Sequence, residues 1–168
     1  LALALVQALK PHWEAALTWM TDYADPDRDG FLEYAPNTNK GHVVQSWKDS
    51  HDSQSHQDGS LAQGAIAVCE VQGYAYMAYR AAAELYQALS LSSQARAWEA
   101  RAETLKAQFH QQFWLPELKT YAAGLDGAKK PMAILTSNPG HLLWSGIVPD
   151  EVAPQLVQTL FSEALYSG

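Results

Sequence analysis

The chain has a single cysteine, Cys69, so it cannot staple itself with an internal disulfide; this fits a reducing compartment, and a cytoplasmic location is expected. It is also poor in basic residues. Eleven Lys and Arg stand against 18 Asp and Glu, a formal net charge of −7. Gripping phosphates needs basic surface, so no nucleic-acid partner is expected, and a neutral substrate or a cation suits the balance better. No apolar run reaches the roughly 18 residues of a membrane-spanning helix, so no membrane partner is expected. The apolar opening, Leu1 to Leu9, lacks the positive flank and cleavage pattern of a signal peptide. There is no Gly-rich phosphate loop and no Gly-x-Ser-x-Gly nucleophile elbow.

What is present is a globular composition. The chain is 48% hydrophobic and 17% charged, which excludes disorder, and its 168 residues suffice for a buried core. Leu1 opens inside an amphipathic pattern without a capping residue, and Gly168 follows a helical pattern directly, so residues 1–168 are expected to be part of a larger catalytic domain.

The periodicity is helical. Ala2, Leu5, Leu9, Trp13, Ala16 and Met20 recur at steps of three and four, with the main helix expected from Pro11 to Tyr23, since proline is tolerated at a first helical position. The longest pattern covers Gln63 to Leu89, with a stripe of Ala67, Val71, Tyr74, Ala78, Ala81, Leu85 and Leu89 and further apolar residues off it. Such a helix is packed on several sides. After the turn Ser90 to Ser93, Gln94 to Phe113 aligns Ala95, Trp98, Ala102, Leu105, Phe109 and Phe113 on one face and charges on the other. A buried helix joined by a short turn to an amphipathic one is an αα-hairpin, as two concentric helical layers require. A short β-hairpin is expected from Lys119 to Leu125 and Pro131 to Thr136 around Asp126-Gly127. A short helix from His141 to Gly146 follows, and a last one capped by Asp150 runs to about Tyr166. The fold class is all-α.

Between the first two helices lie two polar stretches. Asp25-Pro-Asp27-Arg-Asp29-Gly30 opens like a calcium loop, with oxygen ligands at alternate positions and glycine at the turn. The pattern then fails, since Pro36 stands where a bidentate Glu belongs and Glu33 comes three residues early. An acidic turn without a metal is expected, with Asp25, Asp27 and Asp29 the ligands should calcium bind. The second stretch, Gly41 to Gly64, has no period, and loops this long in compact domains carry function or are disordered. Its centre, Gln45-Ser46-Trp47-Lys48-Asp49-Ser50-His51-Asp52, gathers two carboxylates, a lysine, a histidine and a tryptophan in eight residues. A carboxylic acid that protonates a leaving oxygen, a second carboxylate that activates water, and an aromatic ring stacked on a pyranose are the means of glycosidic hydrolysis. Taken singly, Asp49 and Asp52 are equally at home as solvated loop residues. The spacings of His42, His51, His56 and Asp52 match no familiar zinc site, and no cofactor is expected.

The loop resembles the Asn-Gln-Gly-Trp-Lys-Asp-Ser-x-Asp loop of bacterial glycogen-debranching-type amylo-α-1,6-glucosidases. Three more stretches are similar in the same order: Asp27-Arg-Asp29-Gly30-Phe31-Leu-Glu33-Tyr34, then Cys69-Glu70-Val71-Gln72-Gly73-Tyr74, then Ser137-Asn138-Pro139-Gly140-His141. The resemblance implies part of an (α/α)6 toroid, a six-hairpin glycosidase domain. It implies hydrolysis of α-glucosidic bonds, α-1,6 branches foremost, typically with inversion, and an α-glucan oligosaccharide or polysaccharide as partner. It assigns Asp49 as general acid, Trp47 and Lys48 to the glucose subsite, and Glu70 and Gln72 to sugar hydroxyls from the start of an inner helix. Asp52, Tyr34 and His141 are further substrate candidates. Lys48 is expected to point away from Asp49, whose pKa an adjacent cation would lower.

Two departures stand out. Ser46 replaces the family's glycine, a small change. The family's general base is a glutamate after a Trp-Gly-Ile-Arg-like stretch, which these 168 residues do not contain, and Glu163 lies in no comparable motif. The chain alone is therefore expected to be inactive, and a partial toroid's apolar edge is expected to drive homo-oligomer formation. The alternative function is a helical-repeat interaction module built on Tyr79 to Tyr86 and the next helix. It needs a second copy about 34 residues away, and none is found. A calcium-binding module is a third reading, resting on Asp25 to Gly30 alone.

Overall fold

The computed structural model describes residues 3–35 and 42–166. Leu1, Ala2, Pro36, Lys40, Gly41 and Gly168, on which parts of the stripe, loop and chain-end expectations rest, lie outside the described residues. The fold is mostly helical: α1 (Leu3–Asp22), α2 (Cys69–Ala88), α3 (Ser92–Phe113), α4 (Gly140–Ser145) and α5 (Ala153–Leu160). Among the described residues no helix is long and apolar enough to cross a membrane.

The α2–α3 hairpin is the centre of the fold, and its second helix buries the expected face: Ala95, Ala102, Leu105, Phe109 and Phe113, with Trp98 packed at the edge. Phe109 lies 4.5 Å from Phe113 and 5.0 Å from Tyr121 between ring centroids, and Phe31 closes edge-on against Phe113 at 5.1 Å. Fully buried phenylalanines of this kind contribute about 3–5 kcal/mol each against truncation to alanine.

α2 is rotated from the expected stripe. Gln72, Tyr76, Tyr79, Ala83 and Tyr86 face the core, whereas Tyr74 and Ala81 are exposed. Apolar residues surround this helix, so periodicity alone cannot choose its buried side; the inward side is the one on which Gln72 meets the backbone of Leu32 and the Tyr86 hydroxyl meets Glu14. The helix also begins at Cys69 and not at Gln63, because residues 66–68 are taken into backbone pairing.

The expected hairpin around Asp126-Gly127 forms in part, with Leu125 bridging to Pro131, the Ala123 N–H donating to the Met132 carbonyl at 3.1 Å and the Met132 N–H to the Gly124 carbonyl at 2.9 Å, and a pairing that was not expected joins it. β1 (Ala67–Val68) runs antiparallel to β4 (Gly124–Leu125), with Ala67 opposite Leu125 and Val68 opposite Gly124. Tyr34 bridges to Ile66 on one side and Leu125 to Pro131 on the other. Tyr34, residues 66–68, β4 and Pro131 thus form a narrow ladder across the N-terminal end of α2, its first two joints long-range and its last a local turn. Only glycine fits at position 124: a Cβ there would lie 2.6 Å from Met132 Cε and 2.7 Å from the Ala67 carbonyl. A second pair, β2 (Trp114–Leu115) with β3 (Thr120–Tyr121), turns the chain back after α3 and brings Tyr121 into the core.

α1 begins eight residues before the expected Pro11, which sits inside it. The missing N–H leaves the carbonyl of Gln7 without a helical partner, and Gln7 is exposed, so water serves it. The buried face is Val6 and Leu17 with Trp13 and Met20 beside them, while Leu5 and Leu9 of the expected stripe are exposed. Trp13 packs edge-on against Tyr86 at 4.9 Å, and the Tyr86 hydroxyl donates to Glu14 at 2.7 Å. α5 is shorter than expected. It starts after a turn at Asp150 and ends at Leu160, and Leu156 is its buried residue.

Candidate active site

The ladder fixes where α2 starts, and that start carries the site. Glu70 lies in the first turn of α2, where unpaired helix N–H groups and the positive end of the helix dipole favour a carboxylate. It is almost wholly buried. Asn138 Nδ2 donates to Glu70 Oε1 at 3.1 Å, and the Cys69 thiol lies 3.5 Å from Oε2. Burial, with Glu70 beside it, pushes the Cys69 thiol well up, so the thiol stays protonated and acts as a weak donor.

Four aromatic or imidazole side chains come together one helical turn along from this carboxylate, at Tyr74. Tyr74 follows Glu70 by one helical turn, and its hydroxyl meets His141 Nδ1 at 2.8 Å. Burial and the Glu70 charge raise the Tyr74 phenol, which keeps its proton. The His141 ring lies 6.0 Å from Trp47 and 5.9 Å from Tyr74, and Trp144 lies 6.4 Å from Tyr74. Trp47 is 73% exposed and Trp144 71% exposed, so both indoles present faces to solvent. Tyr34, held by its bridge to Ile66, has its phenol raised by burial against hydrogen bonding to the Gln45 backbone, with Glu70 adding to the rise. Beneath the rim, Asn138 Oδ1 and Thr136 Oγ1 are buried with no protein partner, an uncommon condition for polar atoms.

Of the residues expected from sequence, Tyr34, Trp47, Glu70 and His141 are therefore brought together. Gln72 is not. It is fully buried, its Oε1 accepts from the Leu32 N–H at 2.9 Å, and its Nε2 donates to the carbonyls of Leu32 at 2.7 Å and Val68 at 3.1 Å. The amide is spent on fastening the acidic loop to α2, which corrects its expected contact with sugar hydroxyls. Lys48, Asp49 and Asp52 lie on the turn that follows Trp47. Ser46 Oγ donates to the Lys48 carbonyl at 2.8 Å, Ser53 Oγ donates to the same carbonyl, and Gln54 Nε2 donates to Ser46 Oγ at 2.9 Å. Asp49 and Asp52 are exposed at its surface. Among the described residues no ion pair joins Lys48 to Asp49.

Sequence reasoning missed Tyr74, Trp144 and Asn138 as site residues. Tyr74 stands four residues after Glu70, the spacing that puts two side chains on one helical face. Asn138 and Trp144 lie inside the turn-and-helix stretch already singled out around His141.

The acidic loop holds a cation of its own. Carboxylate oxygens of Asp25, Asp27 and Asp29 lie within 4.8 Å of one another. The Lys129 ammonium sits among them, 2.8 Å from Asp27 and 2.7 Å from Asp29, and also pairs with Glu33. Both oxygens of Asp25 accept backbone N–H groups, from Asp29 at 3.1 Å and Gly30 at 3.0 Å. Lys129 thus answers two of the three aspartates of the calcium-like spacing, and Glu33 with them. It holds the Asp27 carboxyl below its ordinary value, while burial pushes Glu33 up against the opposing pull of Lys129. Burial works against the charged lysine, yet the three carboxylates hold it above the usual lysine range.

Compared with models of known protein families and with curated proteins, the sequence matches none.

Proposed function

We propose that this chain carries the sugar-binding and acid part of a glycoside hydrolase site for α-glucosidic bonds, α-1,6 branches of glycogen-like glucans foremost. One observation carries it: exposed Trp47 and Trp144 flank His141 and Tyr74, and Tyr74 stands one helical turn from the buried Glu70 that pairs with Asn138. Indole faces stack on the apolar face of a pyranose, and the Tyr74 hydroxyl and the His141 imidazole beside them offer polar atoms to its hydroxyl groups. Asp49, two residues from the stacking Trp47, is the general acid that protonates the leaving glucosidic oxygen. Inversion then needs a water activated by a second carboxylate about 6.5–9.5 Å from the acid. The resemblance assigns that base to a motif these 168 residues do not contain, so the chain binds substrate without turning it over. The proposed architecture is part of an (α/α)6 toroid, with α2 as an inner helix presenting the site from its N-terminus and α3 as an outer helix with its charged face in water.

The test is tryptophan fluorescence on titration with a malto-oligosaccharide, together with a glucose-release assay. Quenching that is lost in Trp47→Ala, without glucose release, is the expected result. No response to malto-oligosaccharide would overturn the sugar site, and robust turnover surviving in Asp49→Asn would overturn the acid assignment.

A further inference from the structure

A second polar cleft, of about 800 Å³, lies between the C-terminal end of α1, the acidic loop and α3. None of its lining residues belongs to the site above. Its donors are Arg28, Arg101 and Gln108, the Thr104 hydroxyl being given to the Ala100 carbonyl at 2.9 Å, and Tyr23 stands at its rim, 71% exposed. Among the described residues neither arginine forms an ion pair. The Arg101 guanidinium is nonetheless held in place, 5.3 Å over the Tyr79 ring and 6.0 Å over that of Trp98. A stacked guanidinium is pre-organised, and its planar fork matches pairs of neighbouring oxygen atoms.

The charge balance selects the ligand class. Asp22, Asp25 and Asp29 also line the cleft, so two cations face three carboxylates. Those of Asp25 and Asp29 are engaged by backbone N–H groups and by Lys129, while one oxygen of Asp22 accepts from Thr21 at 2.9 Å. An anion would meet these acids, and a metal ion would meet the arginines. A neutral polyhydroxyl chain meets fixed donors, free acceptor capacity and an exposed aromatic ring. The amide of Gln108 lies against the backbone of Gly30, at φ +97°, where a Cβ would stand 2.8 Å from Gln108 Oε1.

We infer that this cleft is a second, non-catalytic saccharide site, in which Arg28, Arg101 and Gln108 bind hydroxyls of an α-glucan beside Tyr23. Its ligand class is taken from the proposed function, while its existence as a polyol site stands on the cleft alone. A branched polymer engaged there and at Trp47 is held by two weak contacts, and linkage makes the combined hold much tighter than either.

The experiment is an amide and indole NMR titration of the chain with maltoheptaose. Two separate groups of signals are expected to move: the Trp47 indole with its neighbours, and the amides of Gly30, Thr104 and Gln108. In the Arg28→Asn/Arg101→Gln double variant the second group should need about tenfold more sugar, the loss of one or two hydrogen bonds, and the first should be unchanged. Asn suits the left-handed backbone of residue 28, at φ 62°, and the dispersion of the spectrum reports folding. Gln108→Ala is a second variant with the same expectation. Movement of the Trp47 group with a silent cleft overturns this inference and spares the proposed function. Movement of the cleft with a silent Trp47 does the reverse, and silence of both overturns both. Movement of the cleft amides by inorganic phosphate at lower concentration than by sugar also overturns the saccharide assignment.

Discussion

Replacing Lys129 by methionine removes the cation at the centre of the acidic loop, and the structure sets the size of the effect. The three ion pairs are not equivalent. The Glu33 side chain is 2% exposed, whereas that of Asp27 is 47% exposed. An exposed pair contributes at most about 1 kcal/mol, so Asp27 adds little. Stripping the partner from a buried carboxylate costs about 3–5 kcal/mol. Lys129 itself is about a quarter exposed, which lets water replace part of the lost interaction. A loss of about 2–3 kcal/mol at pH 7 is the resulting expectation.

The pH dependence gives that number a signature. Burial already raises Glu33 with Lys129 opposing it, so without the lysine its carboxyl titrates higher still. Asp27 is held below its ordinary value by Lys129, and its contribution is present above the unfolded-state value of about 3.9 and lost as pH falls through the lower folded value. The deficit of Lys129→Met against wild type is therefore full at neutral pH. It narrows on acidification, as Glu33, whose carboxyl is raised above its ordinary value, is protonated first and Asp27, held below its own, last. Urea unfolding followed by tryptophan fluorescence between pH 4 and 7.5 measures it through the shift in midpoint at constant slope. A deficit below about 0.5 kcal/mol at pH 7 would show that the ammonium is not what holds the loop. A deficit that grows on acidification would refute the electrostatic account altogether.

Gln72→Leu keeps the volume but leaves the N–H and C=O of Leu32 buried without partners, a loss of about 2–4 kcal/mol by denaturant titration. Gly124→Ala forces a methyl against Met132 and the Ala67 carbonyl, and a loss of about 1–3 kcal/mol is expected by the same assay. Trp47→Ala, at a site 73% exposed, should change stability by less than about 0.5 kcal/mol while abolishing the sugar-dependent fluorescence change, which separates binding from folding. We also propose that copies associate through the exposed Leu3, Leu5 and Leu9 of α1. Sedimentation should show concentration-dependent association in wild type that Leu5→Ser/Leu9→Ser reduces, and a single monomeric species at high concentration would count against it.

How legible each part was in the sequence follows from what fixes it physically. The buried face of α3 could be read because its two sides differ sharply, with Phe109 and Phe113 on one and Arg96, Arg101 and Glu103 on the other. α2 could not be read that way. Its sequence is apolar or small nearly all round, and its inward side was chosen by polar contacts: Gln72 with Leu32, 40 residues earlier, and Glu70 with Asn138, 68 residues later. Long-range partners leave no periodic trace. The same holds for the long-range half of the ladder, Tyr34 with Ile66 and β1 with β4, whose paired segments are too short for any alternation, whereas the Leu125–Pro131 pairing was legible from the Asp126-Gly127 turn between two extended stretches. Lys129 was invisible for a further reason: a calcium-like spacing in Asp25 to Gly30 says where oxygens gather but not which cation answers them.

The candidate site shows both situations at once. Trp47 and His141 were visible because an aromatic or imidazole in a polar loop has no folding reason to be there, whereas Tyr74 hid inside an apolar helical stripe. What joins them is the ladder through Tyr34, Ile66, Gly124 and Pro131, since it decides at which residue α2 begins and so which side chains occupy its first two turns. Had the helix started at Gln63, as periodicity alone suggests, Glu70 would lie mid-helix with the dipole's positive end far from its carboxylate. Starting at Cys69 instead puts Glu70 in the first turn and Tyr74 one turn on, facing His141. The chemistry of the site therefore depends on a backbone pairing that contains none of its acid or indole groups, and a change at Gly124 should disturb sugar binding at Trp47 as well as stability.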